Sequence, residues 1–286
     1  MPKAAIKKHL QMVVSGLVGG WAFDVNEDSI YQQNLPLFHF SGLLNSCMAM
    51  GRGAQLILTP KFSASGAVEV MKKHKSTHMT YIGEVIRFIN QVPEKDDDKV
   101  RDLQIFYRPV TTGRIRNESQ NEDNHLTTLM GNGVTVPEIH KFLNRFGTNI
   151  WVNELYGASE LPTVIYAPRG QARPGAVGRL SPQNQEVLGI KIVKCDTSTE
   201  EPIRDPETGF LIPCEPNEPG MVVMRTSEIF QFSGYYGDSK KSDAKKIYNC
   251  FEEDDLWINS GDMLVMNEEY EVFFCERLGD TFRPRV

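Results

Sequence analysis

The run Glu154-Leu155-Tyr156-Gly157-Ala158-Ser159-Glu160 gathers an aromatic ring, a glycine, a hydroxyl and a carboxylate. At the end of a parallel strand such a set can hold a flat base, let backbone approach a phosphate and present a carboxylate to a hard cation. The same spacing also suits a strand-to-turn exit with no ligand. Asp262 closes the stretch Trp257-Ile258-Asn259-Ser260-Gly261-Asp262 and reads on spacing alone as either a ligand-binding acid or a turn aspartate. His74 and His78 have the i, i+4 spacing of a helical metal pair, but His78 falls where a strand should begin and no carboxylate completes a set, so zinc is not expected. Gly175 and Gly178 imitate a dinucleotide loop without its third glycine or its following helix. The five cysteines (Cys47, Cys195, Cys214, Cys250, Cys275) are far apart and never form CxxC, which argues against a disulfide framework or a zinc ribbon and for a reducing compartment.

The elements that must position these residues follow from periodicity. From Phe38 to Gly170 short apolar runs alternate with helical stretches, the signature of a layered α/β sheet. Strands are expected over Ala54 to Leu58, Thr77 to Ile82 and Asn149 to Asn153, and helices over Ser65 to His74, Val85 to Gln91 and from Pro137 to Phe146. Ser63 or Ser65 suits the cap of the first helix, and Pro137 suits a first-turn position, where its missing N–H costs nothing. After about Gln171 prolines and glycines cluster and turns such as Asp205-Pro206-Glu207-Thr208-Gly209 punctuate short strands, so a β-rich subdomain is expected, ending in a hairpin of Met263 to Met266 with Tyr270 to Phe274. Residues 102–125 are polar, show neither period and read as an inserted surface loop; the sequon at Asn117 within it reads as chance. A chain of 286 residues with 40% hydrophobic and 24% charged residues is an ordinary globular one, and its net charge of −6 offers no basic field for nucleic acid. The apolar stretch from Met12 to Phe23 behind Lys3, Lys7 and Lys8 is a poor copy of a secretory signal and too short to span a bilayer.

Several further motifs occur in a fixed order with the Tyr-Gly-Ala-Ser-Glu stretch: Leu35-Pro36-Leu37-Phe38-His39-Phe40-Ser41-Gly42, Tyr81-Ile82-Gly83-Glu84, Gly131-Asn132-Gly133, the stretch ending at Asp262, and Glu276-Arg277-Leu278-Gly279-Asp280-Thr281-Phe282-Arg283. The series resembles the adenylate-forming acyl-CoA synthetases, and within them the fatty acid transport protein and very-long-chain acyl-CoA synthetase family. It covers nearly the whole chain apart from the loop at 102–125. The resemblance implies a multilayered α/β domain with a β-rich, barrel-like subdomain. It implies a reaction in which ATP and a fatty acid form an acyl adenylate with loss of pyrophosphate, after which the thiol of coenzyme A displaces AMP. It further implies that Tyr156 stacks on adenine, that Gly131, Asn132 and Gly133 line its edge, and that Gly157 belongs to the same nucleotide site. Ser159 would touch the α-phosphate, Glu160 would bind Mg²⁺, and Asp262 would accept from the ribose hydroxyls with Arg277 beside it. His39 and Gly83 would lie on the acyl side.

The sequence also departs from the family pattern. Met1-Pro2-Lys3 reads as though it begins inside the family's Thr/Ser/Gly-rich phosphate loop, keeping Lys3 as an ATP ligand without the cradle. Thr111-Thr112-Gly113, in the insertion, is a decoy for that loop. At the other end Arg283-Pro284-Arg285-Val286 stands where the family continues into a small mobile domain, and Glu269 replaces the usual hairpin glycine, costly if its φ is positive. The expected division is an incomplete AMP-binding subdomain over 1–170, a β-rich one over 171–276 and a hinge over 277–286. The family implies an intracellular, peripherally membrane-associated protein of the endoplasmic reticulum, peroxisome or plasma membrane. A catalytically silent nucleotide- or lipid-binding remnant is the alternative.

Overall fold

The computed structural model describes residues 4–98, 125–167 and 172–278. The chain forms two compact units, Ser15–Asn153 and a second one made of Met1–Val14 with Glu154–Val286. Composition shifts near 171, but the fold divides at 153/154. The reason is local pairing: β5 (Trp151–Tyr156) is joined antiparallel by β6 (Ile165–Tyr166), and Gly178 lies so close to Tyr166 that a Cβ there would sit 2.7 Å from its backbone.

The first unit is a parallel sheet with helices in the crossovers. Its strands β1 (Ile30–Gln33), β2 (Gln55–Leu58), β3 (His78–Ile82), β4 (Thr128–Asn132) and the start of β5 run in the order β2-β1-β3-β4-β5, with β1·β2, β1·β3 and β3·β4 all parallel. The crossovers carry α2 (Phe40–Gly51), α3 (Ala64–Lys73), α4 (Gly83–Gln91) and α5 (Val136–Phe146). The helix starts follow sequence chemistry: the Ser63 hydroxyl accepts from the Gly66 amide at 3.1 Å, and Pro137 sits in the first turn of α5. Apolar residues from both layers, among them Tyr81, Ile86, Leu129, Phe142 and Phe146, form one core. Met12 to Ala22 of the apolar N-terminal stretch belong to α1 (His9–Ala22), with Phe23 in the turn that follows, and among the described residues no helix is long and apolar enough to cross a membrane.

The second unit is mostly antiparallel. Strands β7 (Gly178–Arg179), β8 (Ile190–Val193), β11 (Gly220–Arg225), β13 (Leu256–Met266) and β14 (Glu271–Arg277) follow the order β7-β14-β13-β11-β8, and β12 (Lys246–Tyr248) pairs with β13. A separate ribbon joins β9 (Cys195–Asp196) to β10 (Glu201–Pro202), while short helices α6 (Pro182–Leu188) and α7 (Ser239–Asp243) fill connections. The turn at Asp205 forms as its residues dictate, with the Asp205 carboxylate accepting from the amides of Glu207 and Thr208. The final hairpin is longer than the sequence pattern shows, and its left-handed residue is Tyr270 at φ +64°, not Glu269. The first described residues join this unit: Ala5 bridges Tyr235, the Ile6 amide donates to the Gly234 carbonyl at 2.9 Å, and the Tyr236 amide donates to that of Ala4 at 2.8 Å.

Candidate functional site

Tyr156 is the last residue of β5, and its ring packs in the core of the second unit with Ile165 and Leu264. Asp262 lies on β13, where the backbone is locally irregular. Gly261 adopts φ +76°, the pairing with β14 shifts between Met263 and Leu264, and the Ser260 hydroxyl accepts from the Asp262 amide at 3.0 Å. Such an interruption re-aims a side chain that a regular strand would direct elsewhere. The result is a contact over 106 residues of sequence: the Tyr156 hydroxyl donates to Asp262 Oδ2 at 2.8 Å. Arg277, register partner of Asp262 on β14, brings Nε to 3.8 Å from Oδ1. Burial pushes the Asp262 carboxyl above its usual range, only partly opposed by Tyr156, Arg277 and Lys245. Burial also drives the Tyr156 hydroxyl upward, so it stays a donor.

The loop after β5 holds Gly157, Ser159 and Glu160, all half-buried. Glu160 accepts a hydrogen bond from the Tyr235 hydroxyl. Burial raises the Glu160 carboxyl, but Tyr235, its own backbone amide, Lys245 and Arg277 together outweigh it and hold the group below its ordinary value. Lys245 donates to the Ser260 carbonyl at 3.0 Å, and Lys7 donates to the Leu161 carbonyl at 3.4 Å. Burial lowers the Lys7 ammonium to about 8 against the attraction of Glu160. Two tyrosine hydroxyls, two carboxylates and three cations therefore act on one another around the end of β5. Sequence reasoning singled out Tyr156, Ser159, Glu160, Asp262 and Arg277 but missed Tyr235, Lys245 and Lys7. No local sequence signal marks these three residues.

The remaining candidates belong to the first unit. Gly83 follows β3, and Gly131, Asn132 and Gly133 close β4, with Ile82 in register with Asn132. A Cβ on Gly83 would lie 1.9 Å from the Gly133 carbonyl oxygen, and one on Gly131 would lie 2.1 Å from that of Tyr81. These glycines let strand ends approach closely. His39 is exposed and caps α2, its Nδ1 accepting from the Ser41 amide at 3.2 Å. His74 ends α3 at the surface, while His78 is buried on β3, stacked on Tyr31, with its imidazole lowered to about 4 by burial. Lys3, the decoy loop at Thr111 and the residues from Gly279 onward lie outside the described residues. All five cysteines are free thiols.

Among the described residues no group of three or more His, Cys, Asp or Glu side chains could hold a metal ion by itself. A lone ionised carboxylate such as Glu160 fits Mg²⁺ in the way that ion is commonly held, by one or two carboxylates with the phosphates of a substrate supplying other ligands.

A family model described as AMP-binding enzyme matches residues 1–236. The chain belongs to the AMP-binding enzyme family. Along 99% of its length this family member is 33% identical to long-chain fatty acid transport protein 6 of Mus musculus and 34% identical to long-chain fatty acid transport protein 3 of Homo sapiens, and it spans 41% and 38% of those proteins. Solved structures share its fold. A long-chain-fatty-acid-CoA ligase from Archaeoglobus fulgidus matches 97% of the chain, with 49% of its own length covered, at TM-score 0.70 and 15% identity. The O-succinylbenzoate coenzyme A synthetase of Bacillus subtilis, in complex with ATP and magnesium ion, matches 96%, with 47% of its own length covered, at TM-score 0.64 and 16% identity. The expected mixed α/β architecture with a β-rich subdomain is therefore the one this chain has, over about half of those chains.

Proposed function

We propose that the chain serves ATP-dependent activation of long or very long chain fatty acids to acyl-CoA through an acyl adenylate. The observation that carries this reading is the meeting of Tyr156 and Asp262 beside Arg277, within a family member similar to fatty acid transport proteins. A carboxylate offers about four acceptor positions, and Tyr156 occupies one on Asp262, so ribose hydroxyls can bind without displacing it. In this reading the Tyr156 ring stacks on adenine and the Ser159 hydroxyl donates to the α-phosphate. Glu160, kept ionised by Tyr235 and its cations, would hold Mg²⁺, which when bound neutralises phosphate charge. The fatty carboxylate oxygen attacks the α-phosphorus, a P–O bond forms and pyrophosphate leaves. The thiolate sulfur of coenzyme A then attacks the acyl carbon and expels AMP. The protein's part is positioning and charge compensation. The chain spans 41% and 38% of the two curated relatives. The second reading is a silent nucleotide- or lipid-binding form, which predicts binding without turnover. Peripheral association with an intracellular membrane is part of the first reading.

Fatty-acid-dependent ATP–pyrophosphate exchange by the full-length protein and by Glu160→Gln tests both. The substitution removes the charge and keeps the size, so exchange should fall at least ~100-fold, about 2.7 kcal/mol of transition-state stabilisation. The folding midpoint should move by only about 1 kcal/mol, the worth of one hydrogen bond from Tyr235. Unchanged exchange with a lowered midpoint would remove Glu160 from the site, and no exchange by the unaltered protein would favour the silent reading.

A further inference from the structure

We infer that Tyr235 is a positioning residue of the cation site, whose hydroxyl sets the orientation of the Glu160 carboxylate that would hold Mg²⁺ on ATP. The inference rests on the nucleotide-activating reading above. Glu160 needs such a partner. It lies outside any strand or helix, in the turn where the Leu161 amide donates to the Ala158 carbonyl at 3.1 Å. The turn and the buried Leu161 side chain fix the Glu160 backbone, but its half-buried side chain keeps its own torsional freedom. Lys245 and Arg277 act on it through charge, which hardly discriminates one carboxylate orientation from another. A hydrogen bond does discriminate, because it weakens steeply off its axis.

Tyr235 supplies that bond from a fixed post. Its ring is buried and meets Phe232 edge-on, with the centroids 5.1 Å apart. Its amide donates to Ser242 Oγ at 2.8 Å, and that hydroxyl donates in turn to the Asp238 carbonyl at 2.6 Å. The Asp238 amide donates back to the Tyr235 carbonyl at 3.3 Å. On one side of Tyr235 the Gly234 carbonyl accepts from the Ile6 amide, and on the other the Tyr236 amide donates to the Ala4 carbonyl. Tyr235 is thus held through its ring, its own backbone and both neighbouring residues, and Glu160 comes to meet its hydroxyl. The phenol takes one of the roughly four acceptor positions of a carboxylate, so a cation can still bind. A carboxylate already oriented loses less freedom when the cation arrives, and partners of this kind sustain metal affinity. A tyrosine that used Glu160 only to satisfy its own hydroxyl would leave metal affinity unchanged when that hydroxyl is removed.

Titration calorimetry of the full-length protein with ATP in Mg²⁺, ATP in EDTA and AMP in EDTA measures how much the cation adds to ATP affinity. In Tyr235→Phe that gain should shrink ~10-fold. ATP in EDTA and AMP should hold within about twofold. Phe keeps the buried ring, so the melting midpoint should fall by no more than about 4 °C, the worth of one hydrogen bond. Glu160→Gln should abolish the gain, and Tyr235→Phe added to it should then cost nothing further. An additional loss in the double variant, an unchanged gain in Tyr235→Phe, or equal weakening of all three titrations overturns the inference. If Tyr235→Phe fails to fold, Ser242→Ala decides, since it keeps the phenol but loosens its post. The gain should then fall about threefold, and an unchanged gain overturns the inference. If Mg²⁺ adds nothing to ATP affinity in the unaltered protein, the metal role of Glu160 fails and takes this inference with it. A gain lost in Glu160→Gln but kept in Tyr235→Phe sinks this inference alone.

Discussion

Each unit buries an aspartate, and the two are treated in opposite ways. Asp98, in the first unit, is fully furnished. Arg145 reaches it with Nε at 2.7 Å and Nη2 at 2.6 Å, Lys72 with Nζ at 2.5 Å, and the Lys95 amide at 3.0 Å. The other Arg145 donors go to the carbonyls of Ile89, Val92 and Pro93. Asp262, in the second unit, receives one tyrosine hydroxyl and has a guanidinium 3.8 Å away. Burial works to raise both carboxyls; at Asp98 the hydrogen bonds and Arg145 win and the group sits below its ordinary value, while at Asp262 burial wins and the group sits above it. A charge with every partner supplied by the fold holds the fold together. A buried charge with few partners is destabilising by itself and leaves positions for a ligand.

The sharpest way to break the comparison is to remove the partner of Asp98. Arg145→Met leaves a buried carboxylate short of its main donors, and such losses cost about 3–5 kcal/mol. Urea unfolding at neutral pH should show that loss, and a change below about 1 kcal/mol would contradict the structural role. The pH dependence has a defined sign. Because the folded Asp98 carboxyl is depressed, its stabilisation is present above the ordinary carboxyl value of about 3.9 and is lost as pH falls through the folded value. Asp98→Asn should flatten that acid slope.

Asp262→Asn should invert the pattern. Its folded carboxyl is raised, so its contribution is favourable below about pH 3.9 and is lost as pH rises towards and through the folded value. At neutral pH the substitution should therefore change stability by no more than about 1 kcal/mol in either direction. Affinity for AMP should nevertheless fall at least ~10-fold, about 1.4 kcal/mol, if the carboxylate accepts from ribose. Calorimetric binding and a urea midpoint on the same variant check both; a large stability loss with unchanged AMP affinity would make Asp262 a second Asp98.

The two aspartates were unequally legible in the sequence. Asp262 was legible because it ends a motif, whereas Asp98 closes the run Asp96-Asp97-Asp98, which looks like a solvated charge cluster. Its role depends on Arg145, 47 residues away, which no local period reports. β1 (Ile30–Gln33), which buries two glutamines, and β4 (Thr128–Asn132) were not read as strands, whereas β2, β3 and the start of β5 were legible as short apolar runs, and Pro137 marked the start of α5. Boundaries were less so: β5 continues three residues past the expected Asn153, through Tyr156. Its last residues pair with β6, a long-range partner that composition does not announce. Lys7, Tyr235 and Lys245 were invisible for the same reason, since a bridge between Ala5 and Tyr235 spans most of the chain.

The smallest expected effect sharpens the comparison at the level of backbone. Where the first unit needs a left-handed residue at its motif, Gly133 supplies it at φ +72°; the final hairpin of the second unit instead uses Tyr270 at φ +64°. The turn tolerates this because its hydrogen bonds fix the conformation: the Tyr270 amide donates to the Asn267 carbonyl at 3.0 Å, the Leu180 amide donates to the Tyr270 carbonyl at 2.8 Å, and the Asn267 side chain accepts from the Glu271 amide at 2.8 Å. A tyrosine there still pays a left-handed penalty of about 1 kcal/mol, partly offset because glycine loses more entropy on folding. Tyr270→Gly should therefore raise stability by at most about 1 kcal/mol. Glu269 is not left-handed, and its side chain and carbonyl accept from Arg173 and Arg179, so Glu269→Gly gains no relief and should lower stability by about 0.5–1 kcal/mol. Paired thermal melts decide the matter. Stabilisation by glycine at 269 rather than 270 would place the strained residue one position earlier and overturn this hairpin geometry.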